Sequence, residues 1–216
     1  NIAGIYYSIE LYELALPNYK EALTIYTKEG ADEKAGFLWL NLANIYTKTG
    51  RTKIAREHFQ KAYPILKAKN DLYYLPQYFY LLALFHEGTG NPDSALLMIE
   101  EGLKILTDLG NNDKIISSKL LKAKLILDSD SEHAYRIAEA LKEPILNGSN
   151  KSHKSALFQL LYQCYKKQGK FEIALEMNEQ YLLYADSVLI EENKTAIVRE
   201  ALRADYNAKL FDNQFW

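Results

Sequence analysis

The chain has 216 residues but only 10 glycines and 5 prolines, so breakers are too scarce for a turn-dense β-sandwich, and long elements joined by short turns are implied. One cysteine excludes a disulfide framework, and a net charge of −2, from 26 basic and 28 acidic residues, lacks the basic excess that nucleic-acid binding by counter-ion release requires. Hydrophobic residues, 48% of the chain, suffice for a core. The longest strongly apolar stretch, Tyr78 to Phe85, falls far short of the roughly 20 residues that cross a bilayer.

In chain order, the opening segment reads as a degenerate helix pair, with Tyr12, a turn at Pro17, then Ala22 and Tyr26. The next pair is clear. Trp39, Leu42, Ala43 and Tyr46 follow the three- and four-residue steps of one helical face, Gly50 marks a turn, and Ala55, Phe59 and Ala62 follow on a second helix. A third copy carries Phe79, Leu82, Ala83, Gly90, Ala95 and Ile99, with His86 in the tyrosine column and Gly102 in that of the last alanine. A fourth keeps Ala134 but has lost its turn glycine. The fifth has Phe158, Leu161, Tyr165, Gly169 and Ala174. Ala55, Ala95, Ala134 and Ala174 stand 39 or 40 residues apart. Small residues at 43, 55 and 62 allow two antiparallel helices to approach closely, and Trp39, Tyr46 and Phe59 fill the space around them. After residue 186 there is no Gly or Pro. Val198, Leu202, Tyr206 and Leu210 recur every four residues, predicting one long helix over 187–216 capped by Asp186 or Ser187, with mixed charge on its other face.

These columns resemble the tetratricopeptide repeat, an aromatic, Leu-small, aromatic, then small, aromatic, small pattern across a helix pair. The resemblance implies an all-α superhelix, a solenoid of about five helix pairs over 1–186 plus the long C-terminal helix of 187–216. The period near 40 exceeds the usual 34 or so. Either connectors such as the segment from Lys67 to Pro76 are longer or the second helices are extended. Long-period copies followed by a mixed-charge helix resemble the extracytoplasmic sensor regions of Bacteroidetes signalling proteins, histidine kinases or helix-turn-helix regulators. On that likeness, and because the sequence begins without Met, the chain is expected to be an excised periplasmic sensor module whose final helix leads to an absent membrane span and output domain. A cytoplasmic location is the alternative.

Inward-facing columns of such a superhelix bind extended peptides. Here they carry Phe37, Leu40, Asn41, Asn44, Thr47 and Lys48, then Gln77, Tyr80, Leu81 and Leu84, then Gln159, Gln163 and Lys166. Asn41 and Asn44 each offer a donor and an acceptor, so three residues apart they could clamp a peptide backbone; the competing reading is two solvated amides. Tyr80 and Leu84 would give the groove an apolar centre, or else are core between repeats. Lys119, Lys122, Lys124, Lys166 and Lys167 form either a basic patch or a solvated face. The expected partner is a peptide or protein segment. A second reading makes the chain a scaffold that self-associates through 187–216 and holds no groove ligand. No enzyme, cofactor or metal is expected: His58, His86, His133 and His153 lie in separate elements without ligand spacing, His86 reads as a packed histidine, and Cys164 reads as an inert buried thiol.

Overall fold

The computed structural model describes residues 2–31, 35–109 and 112–213, and among them every regular element is an α-helix. The order is α1 (Ile2–Ser8), α2 (Tyr12–Lys28), α3 (Gly36–Lys48), α4 (Thr52–Ala68), α5 (Tyr74–Gly88), α6 (Pro92–Leu109), α7 (Asn112–Ile126), α8 (Ser131–Asn147), α9 (Lys151–Lys167) and α10 (Phe171–Asn213). They pack as five successive pairs, each second helix also meeting the first helix of the next pair. This is the expected solenoid.

The turns explain the period. Gly50, Gly90 and Gly169 adopt φ of 73°, 76° and 73°, a left-handed conformation in which the absence of a Cβ is an advantage. Behind each, the following amide bonds back across the helix end, as Arg51 N–H does to Tyr46 O at 2.8 Å and Asn91 N–H to His86 O at 2.9 Å. Gly30 makes the same closure, and so do two non-glycines, Glu10 at φ 59° and Asn70 at φ 47°. Residues 10, 30, 50, 70 and 90 therefore mark helix ends at equal intervals of about twenty, the length of one helix and its turn. The excess over the usual period lies in the helices. Half of the 67–76 segment is helix, with α4 running to Ala68 and α5 starting at Tyr74, and residues 69–73 connect them.

Two expectations are corrected. Pro17 makes no turn: it lies inside α2, and the break falls at left-handed Glu10. Burial of Leu14, Ala15 and Tyr19 on either side holds the helix against the roughly 3 kcal/mol an interior proline costs. Nor does a helix start at Asp186 or Ser187. α10 runs unbroken for 43 residues, because nothing from Phe171 onward interrupts it, and Ser187 Oγ donates to Leu183 O at 3.1 Å instead of capping.

Packing follows the columns. Ala43, Ala55, Ala62, Ala83, Ala95, Ala134 and Ala138 have no solvent exposure. A Cβ on Gly36 would stand 2.8 Å from Leu66 Cδ2, so that residue's lack of a side chain sets how closely α3 meets α4. Aromatic rings bridge successive pairs: Tyr63 of α4 stacks on Tyr78 of α5 at 5.3 Å between centroids, and Tyr135 of α8 meets Tyr165 of α9 at 5.4 Å. α8 and α9, which lack a preceding left-handed glycine, are capped by Asp130 and Asn150, whose side chains accept from the amides of His133 and His153 at 3.0 and 3.1 Å.

α10 also closes the array. It passes the start of α9, where Lys151 Nζ meets Glu191 Oε1 at 2.7 Å, and then reaches the first pair. Arg199 Nε donates to Ile9 O at 2.7 Å, its guanidinium meets Glu10 at 2.8 Å, and Arg203 Nε donates to Glu13 at 2.6 Å.

Candidate functional site

First helices converge on a cavity of about 560 Å³. α5 contributes Tyr80, Leu84 and Glu87, α7 contributes Ser117, Leu120, Leu121 and Lys124, and α9 with its cap contributes Asn150, His153, Gln159, Leu160 and Gln163. Helical spacing brings these to one wall: 80, 84 and 87 share a face of α5, as do 117, 120, 121 and 124 on α7. Leucines and Tyr80 form an apolar floor, and the Gln159 and Gln163 amides offer donors and acceptors one turn apart. Lys124 Nζ and Glu87 Oε1 close one side as an ion pair at 2.7 Å. Burial, and then the Glu87 charge, push the Tyr80 phenol above its usual range, so it stays protonated as a donor.

Of the residues expected in the groove, Tyr80, Leu84, Gln159 and Gln163 meet here. Gln77 lies beside it, in a hollow of about 110 Å³ with Pro76 and Leu106. Phe37 stacks on Tyr74 at 5.6 Å and lines a separate hollow with Tyr26 and Lys69. Lys48 and Lys166 are exposed, and Asn41 is half-buried. Leu40 is fully buried and lines no groove. Asn44 is buried too, and its Nδ2 donates to Tyr7 Oη of the first pair, so it bonds two repeats to each other and is not a free clamp. Thr47 Oγ1 donates to Ala43 O at 2.9 Å.

The sequence reading placed no α7 residue in the groove and named Lys124 only in a basic patch, because the fourth copy lacks the glycine that reveals the register. It also missed a polar chain. His153, only 12% exposed at its side chain, shares a 2.8 Å hydrogen bond between Nε2 and Ser117 Oγ, and its Nδ1 lies 3.5 Å from Asp113 Oδ1. The order Asp, His, Ser is that of a catalytic triad, but Ser117 Oγ also lies 3.1 Å from Asp113 O. Ser117 Oγ–H can donate to that carbonyl while Oγ accepts from the imidazole, an arrangement that points the hydroxyl proton away from the ring. Ser117 is moreover inside α7, where backbone amides are committed to the helix and cannot form an oxyanion hole. The chain links α7 to α9 at the cavity wall.

The lysine run is largely neutralised: Lys122 pairs with Glu100 at 2.9 Å, Lys124 with Glu87, and Lys167 with Asp128 at 2.9 Å. His86 is half-buried against Phe85, and burial lowers its basicity, with Arg56 adding to the effect. Cys164 is buried, and burial, followed by the charge of Glu132, pushes its thiol up to about 11. Among the described residues no three His, Cys, Asp or Glu side chains gather as a metal site, and no helix is long and apolar enough to cross a membrane.

The chain is similar to known proteins in sequence and in fold. Over 181 residues, 83% of the chain, it is 28% identical to response regulator aspartate phosphatase A of Bacillus subtilis (strain 168). Over 107 residues it is 36% identical to response regulator aspartate phosphatase H of the same organism, 49% of this chain. The matches cover 46% and 28% of those two proteins, so the chain spans less than half of either, and neither is a Bacteroidetes sensor. In fold it is similar to the crystal structure of BtubC (BKLC) from P. vanneervenii, with a TM-score of 0.72 and 19% identity over 86% of this chain and 78% of that one. The tetratricopeptide repeat model matches residues 1–68 and 35–108, half of the chain. With five stacked helix pairs, left-handed turns and alanine columns in register, the chain belongs to the tetratricopeptide repeat family.

Proposed function

We propose that this chain is a non-enzymatic recognition module of a bacterial regulatory protein, and that its cavity takes an extended peptide or a loop of a partner protein. The observation that carries the reading is the meeting of three first helices on one cavity, with an apolar floor of Tyr80, Leu84, Leu120, Leu121 and Leu160 beside the paired amides of Gln159 and Gln163. That combination suits an apolar side chain flanked by peptide groups. The relatives' names support a regulatory setting, since both refer to response regulators; we favour the cytoplasmic alternative over a periplasmic sensor. α10, continuous from the last repeat to residue 213, is suited to relay movement of the array along its length.

The test begins with selection of peptides from a displayed random library on the wild-type chain. Binding of the selected peptides is then measured by calorimetry on Leu84→Glu and on Gln159→Ala with Gln163→Ala. At least a tenfold loss for each variant, with helical circular dichroism retained, is expected. Equal binding by all three proteins would sink the reading.

A further inference from the structure

The outer side of α10 carries Leu175, Leu182, Leu183, Leu189, Ile190 and Ile197, each between 50% and 72% exposed. At 3.6 residues per turn they fall within a sector of about 120°, on the far side from Ala174, Tyr181 and Arg199, which face the array. They form two rows at seven-residue steps, Leu175, Leu182, Leu189 and Leu183, Ile190, Ile197, with Glu179, Asp186 and Asn193 between them.

This strip occupies the place where the next pair would pack. Counting from the recurring small column at Ala55, Ala134 and Ala174, Leu175 corresponds to Tyr135 and Leu182 to Tyr63. Those two tyrosines meet aromatic rings of the following first helix. On α10 the same positions have no following helix among the described residues.

The strip is also a palindrome. Leu182 and Ile190 lie four residues either side of Asp186, Leu183 and Leu189 three, and Leu175 and Ile197 eleven. An identical helix laid antiparallel, with a two-fold axis at Asp186, would set every one of these apolar residues opposite another and Glu179 opposite Asn193. Self-complementarity of this kind is what an interface between two identical copies requires. Complete burial of the strip would remove at most about 700 Å² per copy from water, somewhat below the roughly 800 Å² a side of a standard interface.

We propose that α10 is a dimer interface in which two copies of this chain pair antiparallel about Asp186. The interface lies on 175–197 and is distinct from the Val198, Leu202, Tyr206 row, of which the Leu210 side chain is outside the described residues. It is independent of the groove reading. The two Asp186 carboxylates meet at the axis and weaken the pairing by like-charge repulsion.

Sedimentation velocity on the full chain tests the proposal, with circular dichroism as the check on folding. A dimer is expected for wild type and for Val198→Glu, a monomer for Leu182→Glu with Leu189→Glu, and a roughly fivefold smaller dissociation constant for Asp186→Asn. Asp186→Cys, whose new thiol would sit on the axis, is expected to form a disulfide between copies under mild oxidation, whereas Asn178→Cys is not. A wild-type chain that stays monomeric at its highest soluble concentration leaves the strip to some other helix and overturns the proposal. So does a dimer that survives the Leu182 and Leu189 changes, or one that Val198→Glu alone disrupts.

Discussion

Arg199 and Ile9 are joined across 190 residues of chain: the guanidinium Nε donates to the Ile9 carbonyl at 2.7 Å. That carbonyl sits just past the end of α1, beside the left-handed turn at Glu10, and Glu10 itself takes a second guanidinium bond at 2.8 Å. Arg199→Ala is expected to cost about 1 kcal/mol, the size of a partly exposed charge-assisted bond. Hydrogen exchange should locate the loss in α1 and the distal half of α10, with α3 to α6 unchanged. Uniform loss of protection would show that the contact is not local.

Asn44 and Asn41 separate by role. Asn44→Ala removes the bond from a buried amide to Tyr7, and urea denaturation should show a loss of about 1 to 2 kcal/mol. Asn41→Ala, at a half-buried position, should stay within about 0.5 kcal/mol. Equal costs would mean that the inter-repeat bond contributes nothing.

Stability should fall on mild acidification. His58 lies between Trp39 and Tyr46, ring centroids 5.1 and 5.0 Å away, and burial lowers its basicity below the usual 6.5; His86 shifts the same way. A lowered folded-state value means that the unfolded chain takes up the proton first. The stabilisation is complete above 6.5 and is lost as pH falls through the folded-state values. Tm should drop between pH 7.5 and about 5, and His58→Gln should flatten part of that drop. An unchanged slope in the variant would remove His58 from the account.

Cys164 should resist alkylation. With its thiol raised to about 11 and its side chain buried in α9, almost no thiolate exists at neutral pH. Iodoacetamide at pH 7.5 should label the native chain at least a hundredfold more slowly than the urea-unfolded one. Comparable rates would show that α9 opens readily.

The solenoid was legible because its strongest signals are steric and local: Gly50, Gly90 and Gly169 stand where a left-handed turn excludes most side chains, and the alanines stand where helices touch. Signals failed where another residue did the same job. Glu10 and Asn70 adopt the left-handed turn without being glycine, so the first turn was misplaced at Pro17. In the fourth copy Asp130 starts α8 by side-chain capping, with no glycine, and the register that would have shown Ser117, Leu120 and Lys124 on the cavity wall was lost with it. Tyr80, Leu84, Gln159 and Gln163 were found because their columns stand beside clear turns. Asn44 was misread because sequence spacing tells which face a residue shares, not whether a tyrosine from the preceding pair already occupies its amide.

A linear stack of repeats has two free ends from which it can fray, since each pair is held only by its neighbours. The contacts of Arg199 and Arg203 with the first pair remove that property. The short α1, only seven residues long, is the element least able to persist alone, and it is the one next to which the last helix fastens. Melting should therefore proceed as one concerted transition instead of peeling inward from the N-terminus.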